Sequence, residues 1–398
     1  MEKISVLLIG IGGYGVVYVK GLLYGRYADM FQIVGAVDPY AEKSTLAALL
    51  CSRKIPIYAA VEEFYREQKA NLAIIATPIY LHGTQARYCM DHGSDVLCEK
   101  PICATLEDAV SMITTRNRTG RRLAIGFQWC YSESVLRLKQ DILNGLYGTI
   151  CQIRTLVFFP RTLDYYTRST GWAGKKRMAS GEWVFDSVAS NATAHYLQNM
   201  LFLTGTRMDR AAEVTSMQAE VYRANPIEMY DTCAFRIWTE ENVELLFYAT
   251  HAVPLEWERM PVFVLEGKKG TVVLQDNVIT GRLKTGQIIN YGEPCADALR
   301  VLSYFRDADK EHRPMPCVAE TAIPHLKCVY SVAESFPNPP RFAEKYLRFN
   351  EEARQYTCEG LAETLESCWK EGKLPYEMQA AWAQKPHEIQ LKAEFTFG

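Results

Sequence analysis

Short apolar runs alternate with amphipathic helical patterns over the first 126 residues. The apolar runs occupy residues 5–12, 31–38, 55–59, 72–78, 95–101 and 122–127, and the helical patterns occupy 14–24, 41–51, 61–68, 81–92 and 105–118. Runs that are apolar throughout are typical of strands buried on both faces. The pattern therefore predicts an α/β domain built on a doubly wound parallel sheet with helices on both sides.

The pattern changes after residue 127. Helices are predicted at 134–144 and 192–203, a long strand at 150–159, and an irregular segment at 160–182. Alternating apolar and polar positions then predict strands within 211–224, 231–240, 243–252, 261–267 and 271–276, followed by helix at 294–336 and 342–370 and a closing strand in 388–398. Strands grouped in this way indicate an α+β domain with an open, mostly antiparallel sheet. We therefore predict two domains, 1–126 and 127–398.

Composition and charge narrow the possible partners. The chain has 398 residues, with 44 Lys plus Arg against 46 Asp plus Glu. This balance predicts no nucleic-acid partner and no anionic membrane surface, and no apolar run approaches the roughly 20 residues that span a bilayer. The 12 cysteines are scattered without metal-ligand spacing, so we expect reduced thiols, a cytoplasmic protein and no metal site.

A glycine-rich turn follows the first predicted strand. Gly10, Gly12 and Gly15 form G-x-G-x-x-G between a strand and a helix, and Gly13 and Tyr14 complete the turn. This arrangement is typical of a dinucleotide site, where backbone N–H groups at a helix start meet the pyrophosphate. Asp38 ends the second strand, where a carboxylate can accept hydrogen bonds from ribose hydroxyls and repel a 2′-phosphate. We therefore predict NAD as the cofactor; the alternative is a glycine-rich turn with an unrelated surface aspartate.

Two further motifs follow later strands. Thr77-Pro78-Ile79-Tyr80-Leu81-His82 comes after one strand, and Glu99-Lys100-Pro101 after the next. With the glycine turn, these segments resemble the Gfo/Idh/MocA family of oxidoreductases, closely over 1–127 and more loosely at 181–205 and 319–335. The resemblance implies a Rossmann domain, a second domain with an open-faced sheet, and a carbohydrate substrate between them. It also places Thr77, Pro78, His82, Glu99 and Lys100 at the cofactor.

Lys100 is the main candidate for proton transfer. It lies just past the carboxyl end of a central strand, where doubly wound sheets bind their ligands. Oxidation of an alcohol requires removal of the hydroxyl proton, and a positive nicotinamide ring nearby would disfavour the ammonium form of the lysine. Glu99 orients this lysine or the ribose; the alternative is that it forms a structural ion pair. The alternative for Lys100 is a solvated surface charge.

A second catalytic pair is implied in the C-terminal domain. Family members usually carry Asp and His four residues apart, ten residues before a glycine; counting back from Gly205 puts His195 and Asn191 on these positions. At this spacing both side chains lie on one face of a helix. His195 would exchange a proton with the reacting oxygen, or it is a buried core histidine. Because an amide is not a base, Asn191 would only position a hydroxyl or His195. Asp186 either replaces the missing carboxylate or caps a loop.

Aromatic and arginine side chains supply candidates for carbohydrate contact. The candidates for the substrate wall are Trp129, Tyr131, Arg161, Tyr166 and Trp172. Aromatic faces pack against sugar C–H groups, and arginines donate to hydroxyls. Packing within a long loop or between subunits is the alternative for each of them.

Three functions fit these residues. The first is an NAD-dependent dehydrogenase acting on a secondary hydroxyl or keto carbon of a sugar, polyol or glycoside. The second uses the same hydride transfer reversibly to eliminate a leaving group, with NAD recycled in place. The third is a non-enzymatic sugar and dinucleotide sensor, which has no use for Lys100 and His195.

Strands within 211–283 are expected to bury an exposed sheet face in a homodimer or homotetramer.

Overall fold

The structure, a computed structural model, describes residues 2–168, 171–311 and 314–391. The chain forms two compact units. Among the described residues, those up to Tyr131 and Asp297–Ile323 belong to the first, and Ser132–Ala296 with those from Pro324 to Leu391 belong to the second. The boundary between residues 126 and 127 stays a prediction, and the pattern along the chain gives no sign that residues 297–323 return to the first unit.

The first unit contains a parallel six-stranded sheet in the order β3-β2-β1-β4-β5-β6. Its strands are β1 Ile4–Ile9, β2 Phe31–Val37, β3 Ile57–Tyr58, β4 Leu72–Ile75, β5 Asp95–Cys98 and β6 Leu123–Ile125. Its helices are α1 Gly15–Tyr24, α2 Ala47–Ser52, α3 Val61–Glu67, α4 Ile79–Asp91 and α5 Leu106–Thr119. Of the central strands, β4 is buried throughout and β1 is buried from Val6 to Ile9, as apolar runs that do not alternate require. This confirms the doubly wound, Rossmann-type prediction.

The helix predicted at 41–51 is divided in two. A 3-10 turn covers Ala41–Lys43, and α2 begins only at Ala47. Between them the Leu46 N–H donates to the Ser44 hydroxyl at 3.2 Å. A serine side chain that bonds nearby backbone competes with helical hydrogen bonding, which explains the interruption.

The second unit contains a nine-stranded sheet in the order β14-β13-β12-β11-β7-β10-β9-β8-β17. All its pairings are antiparallel except that of β7 with β10. Up to β14 the elements are α6 Glu133–Leu143, β7 Ile150–Phe158, α7 Leu163–Thr167, α8 Ala194–Thr204, β8 Val214–Tyr222, β9 Thr232–Thr239, β10 Glu244–Thr250, β11 Arg259–Gly267, β12 Gly270–Gln275, β13 Val278–Leu283 and β14 Ile288–Gly292. The mostly antiparallel sheet is confirmed.

The remaining elements correct two predictions: the helix predicted at 294–336 begins only at Val301 and is absent at 314–318, and the helix predicted at 342–370 begins later. These elements are α9 Val301–Glu311, α10 Ala319–Ser335, β15 Leu347–Asn350, β16 Gln355–Cys358, α11 Leu361–Glu371 and β17 His387–Gln390. The helix predicted at 342–370 is wrong before residue 361, because β15 and β16 form an antiparallel hairpin there. The helix-favouring residues 351–354 form its turn, where Arg354 has a positive φ of 51°. Part of the strand predicted at 388–398 lies outside the described residues.

One face of the large sheet is covered by the chain itself. Buried residues of β7, β8, β9 and β10 form a single apolar cluster with Leu361, Leu365 and Cys368 of α11. Trp369 and Trp382 pack against the same cluster. This part of the sheet needs no second copy to shield it from water, so the homodimer or homotetramer stays a prediction. Within the described ranges, every helix is too short or too polar to cross a membrane.

Candidate functional site

The glycines of the first turn differ in what surrounds them. Gly10 has a φ of +87°, and a side chain there would lie 2.8 Å from the Ala76 carbonyl oxygen. A Cβ at Gly15 would lie 2.1 Å from the carbonyl oxygen of Gly10. A Cβ at Gly12 would meet nothing within 4 Å. Gly10 and Gly15 thus let the strand and helix pack, while exposed Gly12 leaves the turn open to a ligand at the start of α1, as a bound dinucleotide requires.

Asp38 is tied to this turn. Its Oδ2 accepts a hydrogen bond from the Ile11 N–H at 3.1 Å, and its Oδ1 accepts one from the Tyr40 N–H at 2.9 Å. An ionised carboxylate has about four acceptor positions, so two such bonds leave capacity for ribose hydroxyls. The backbone contacts fix the carboxylate beside the glycine turn, where the sequence predicted it.

His82 connects the ends of two neighbouring strands. Its ring nitrogens lie 2.9 Å from the carbonyl oxygens of Thr77 and Pro101, which follow β4 and β5. Burial lowers the pKa of His82, so the neutral ring donates to one carbonyl at a time. The histidine of the T-P-x-x-x-H motif thus holds the segment that carries Lys100. The Thr77 hydroxyl is itself occupied, donating to Gln85 at 2.6 Å.

Glu99 lies buried behind Lys100, and its main partner is one that sequence reasoning missed. The Tyr18 hydroxyl donates to Glu99 Oε1 at 2.6 Å, and the Lys100 backbone N–H donates to Oε2 at 3.2 Å. Burial raises the pKa of Glu99, and the bond from Tyr18 opposes that rise. Lys100 itself is half-buried. A signal was available, since the apolar pattern turns residue 18 of α1 inward.

The predicted pair in the second unit does not lie on one regular helix. Asn191 belongs to a π-helical turn, Val188–Ala192, and His195 lies in α8, with Thr193 between the two segments. The Asn191 amide donates to Asp186 Oδ1 at 2.9 Å, and the Gly174 N–H donates to Oδ2 at 2.6 Å. Asp186 therefore stabilises the irregular loop through the Gly174 backbone, and its buried carboxylate lies next to Asn191.

Part of the irregular segment is organised around Tyr165. The guanidinium groups of Arg161 and Arg168 lie over its ring, at 4.9 and 3.9 Å from the centroid. The ring of His251 lies 5.9 Å away, and its Nδ1 donates to the Phe159 carbonyl at 2.6 Å. Burial, reinforced by Arg161, lowers the pKa of His251 to about 3. His251 is thus a neutral residue of this cluster.

Tyr166 lies beside the cluster. Its ring packs edge-on against Tyr165 at 5.1 Å, and it lines a small pocket with Asp186, Tyr230 and His251. The Tyr166 hydroxyl is buried without a hydrogen-bond partner among the described residues. A buried hydroxyl normally has one, so Tyr166 differs in this respect from Tyr131, whose hydroxyl is bonded to backbone.

The remaining substrate candidates differ in accessibility. Tyr131 is buried, and its hydroxyl is shared between the carbonyl oxygens of Ile125 and Cys317 at 3.1 and 2.8 Å. Trp129 is also buried, whereas Trp172 is half-exposed. For Tyr131 and Trp129 these positions favour the packing alternative. Among the described residues, no group of three or more His, Cys, Asp or Glu side chains could hold a metal ion.

Comparison with known proteins identifies the first unit. Residues 4–127 match the GFO_IDH_MocA model, described as an oxidoreductase family with an NAD-binding Rossmann fold. The N-terminal domain is a member of this family.

Matches to individual proteins cover less of the chain. Inositol 2-dehydrogenase 1 of Saccharopolyspora erythraea is 22% identical over 195 residues, which are 48% of this chain and 57% of that protein. The 2,7-anhydro-N-acetylneuraminate hydratase of Mediterraneibacter gnavus is 24% identical over 150 residues, 38% of each chain. The chain thus spans less than two thirds of the length of these relatives.

A solved structure matches over both units. The WlbA dehydrogenase of Bordetella pertussis, crystallised with NADH and UDP-GlcNAcA, aligns with a TM-score of 0.68 at 20% identity, over 84% of this chain and 96% of that chain. At this identity the likeness establishes the fold, including the second domain that the family model does not reach.

Proposed function

We propose that this protein is an NAD-dependent oxidoreductase that transfers a hydride between nicotinamide and a secondary hydroxyl or keto carbon of a sugar, polyol or glycoside. One observation carries the proposal. In the first unit, the glycine turn, Asp38, the Thr77 segment and the Lys100 segment form one continuous set of contacts at the carboxyl ends of β1, β2, β4 and β5. Open α/β sheets bind their ligands at this edge.

The cofactor residues divide the work of binding. Gly12, Gly13 and Tyr14 present the start of α1 to the pyrophosphate, between the packing glycines Gly10 and Gly15. Asp38 binds the adenosine ribose and repels a 2′-phosphate. Thr77, Pro78 and His82 shape the wall of the site, with Glu99 and Lys100 at the nicotinamide end. A bound nicotinamide would supply the hydride acceptor or donor.

Proton transfer and hydroxyl binding are assigned to Lys100, His195 and Asn191. Lys100 takes the hydroxyl proton as the alcohol is oxidised and returns it in the reverse direction. His195, in the second unit, is assigned as a further group that exchanges a proton with the substrate. Asn191 holds a substrate hydroxyl, and the hydrogen bond from its amide to Asp186 orients the side chain.

The substrate is a small carbohydrate. Arg161, Tyr166 and Trp172 supply a guanidinium, a buried hydroxyl that none of the described residues bonds, and an indole. Sugar recognition uses such groups, with donors for hydroxyls and flat apolar faces for C–H surfaces.

A second function is favoured by one relative. The M. gnavus protein is named as a hydratase, and hydration changes no net oxidation state. Oxidation, elimination or addition, and reduction on a retained NAD would give such a result with the same residues. The two functions differ in whether NADH accumulates.

One experiment tests the proposal and separates these functions. The purified protein is incubated with NAD and with panels of polyols, free sugars and glycosides, while absorbance at 340 nm and product masses are followed. A dehydrogenase gives NADH and oxidised product in equal amounts. A recycling enzyme gives product without NADH, but only when its NAD is present. A protein that does not bind NAD by calorimetry would contradict both.

A further inference from the structure

Tyr18 and Glu99 form a tyrosine–carboxylate hydrogen bond next to the Lys100 segment. Tyr18 lies on α1, the helix that begins at the glycine turn, and is 1% exposed. Glu99 follows β5 and is 5% exposed. The hydroxyl–carboxylate distance of 2.6 Å is typical of a charge-assisted hydrogen bond. The bond therefore joins the start of the sheet's first helix to the end of its fifth strand.

The space around the Glu99 carboxylate is closely defined. A Cβ at Gly126 would lie 2.8 Å from Oε1 and 3.1 Å from Oε2. The carboxylate is thus enclosed by Gly126 on one side and held by Tyr18 and the Lys100 backbone through its two oxygens. Enclosure and two directed bonds fix its position better than a surface ion pair would.

A carboxylate in this position acts on its neighbour through charge. Coulombic interaction with Lys100 favours the ionised form of Glu99, and by reciprocity ionised Glu99 favours the ammonium form of Lys100. The Tyr18 hydroxyl stabilises the same ionised form of Glu99. Loss of that hydroxyl would favour neutral Glu99, and Lys100 would then lose an anionic neighbour.

We propose that Tyr18 is a positioning residue that acts through Glu99 on Lys100, linking the helix of the dinucleotide turn to the group that transfers the proton. The proposal rests on the proposed function for the role of Lys100. The contact itself belongs to the protein without any ligand, so it can be tested without substrate.

The reactivity of the Lys100 amine gives the test. The protein is treated at constant pH with a limiting amount of isotopically labelled acetic anhydride, which reacts with the unprotonated amine. Modification of Lys100 is then quantified by mass spectrometry relative to exposed Lys20 on α1. In Tyr18→Phe, the relative rate for Lys100 should rise about 2- to 5-fold, the size expected when a half-buried amine loses part of its interaction with a neighbouring carboxylate.

Two further variants make the result specific. Glu99→Gln removes the charge and should give at least the same increase, and Tyr18→Phe added to Glu99→Gln should change nothing more, because Tyr18 acts through Glu99. Tyr27→Phe is the matched control: this buried tyrosine also donates to a carboxylate, Asp297, at 2.6 Å, and its loss should leave the Lys100 rate unchanged.

The outcomes separate this inference from the proposed function. An unchanged Lys100 rate in Tyr18→Phe, or an effect of Tyr18→Phe that persists fully in the Glu99→Gln background, would overturn the role of Tyr18. If Tyr18→Phe does not fold, an unchanged Lys100 rate in Glu99→Gln overturns it equally. Calorimetry of NAD binding to the unmodified protein is run in parallel, and failure to bind would refute the proposed function whatever the labelling shows.

Discussion

The amide of Asn191 donates a hydrogen bond to the buried carboxylate of Asp186 at 2.9 Å. The chain therefore has a carboxylate next to Asn191, the residue that the resemblance is expected to place at the usual aspartate position. The acid comes from five residues earlier, in the loop that precedes the π-helical turn. The amide at 191 donates the hydrogen bond and the carboxylate at 186 accepts it.

This relationship predicts that an aspartate at position 191 destabilises the protein. Asn191→Asp would put two carboxylates within hydrogen-bond distance, and both cannot ionise there without a large cost. We expect a loss of about 1–3 kcal/mol in the free energy of unfolding at pH 7, and a smaller loss at pH 5, where one of the acids takes up a proton. Urea unfolding at both pH values measures this. The control is Asn191→Ala, which adds no charge and should lower the free energy of unfolding by the same amount at both pH values. If Asn191→Asp also lowers it equally at pH 5 and pH 7, the two carboxylates do not interact.

Within the glycine turn, one glycine is needed for packing and another for ligand binding. Gly15→Ala forces a Cβ against the Gly10 carbonyl and should lower the free energy of unfolding by about 1–3 kcal/mol or more. Gly12→Ala meets no protein atom, so stability should stay within about 0.5 kcal/mol of the unmodified protein. NAD affinity should nevertheless fall in Gly12→Ala, as calorimetry can show. Normal NAD affinity in that variant would mean that the pyrophosphate does not approach this turn.

Asp38 should set the preference between the two dinucleotides. Its carboxylate, held by the N–H groups of Ile11 and Tyr40, would repel a 2′-phosphate. The unmodified protein should bind NAD much more tightly than NADP, and Asp38→Ala should narrow that difference. Dissociation constants for both dinucleotides test this, and equal values in the unmodified protein would refute the assignment.

Because His251 is buried in its neutral form, we expect the free energy of unfolding to depend on pH. Its pKa of about 3 in the folded protein lies below the value of about 6.5 expected after unfolding. As the pH falls below 6.5, the unfolded chain binds a proton that the folded protein does not, so stability is lost progressively down to about pH 3. Between pH 7 and pH 5 this loss should amount to about 2 kcal/mol.

The comparison variant for this effect is His251→Asn. The asparagine amide keeps a donor for the Phe159 carbonyl but does not titrate. From pH 7 to pH 5, the free energy of unfolding of this variant should therefore fall by about 2 kcal/mol less than that of the unmodified protein. His92→Asn, at an exposed position, should behave like the unmodified protein. If His251→Asn and the unmodified protein respond identically to pH, then His251 is not held neutral by burial.

The sequence was most informative where backbone geometry dictates residue type. The turn at Gly10–Gly15 and the apolar strands allow few alternatives, so the Rossmann-type sheet could be predicted almost strand by strand. Tyr18 was missed because a buried tyrosine in α1 looks like any core residue until its hydroxyl is seen to reach Glu99, 81 residues away. The hairpin of β15 and β16 was read as helix because Glu and Ala in its turn favour helix locally, whereas tertiary contacts decide the outcome. The break at Thr193 similarly depends on hydrogen bonds that spacing alone does not encode.

The most direct test of the central claim compares Lys100→Met with Lys20→Met, a change at an exposed position on α1. The measurement is the initial rate of NADH formation at 340 nm, at saturating NAD and at a saturating concentration of whichever polyol, sugar or glycoside the panel identifies. We predict that Lys100→Met lowers this rate by about 10²- to 10⁴-fold with NAD affinity nearly unchanged, and that Lys20→Met keeps it. Near-normal turnover in Lys100→Met, under conditions where chemistry limits the rate, would contradict the account and leave Lys100 as a structural charge in a dinucleotide-binding fold.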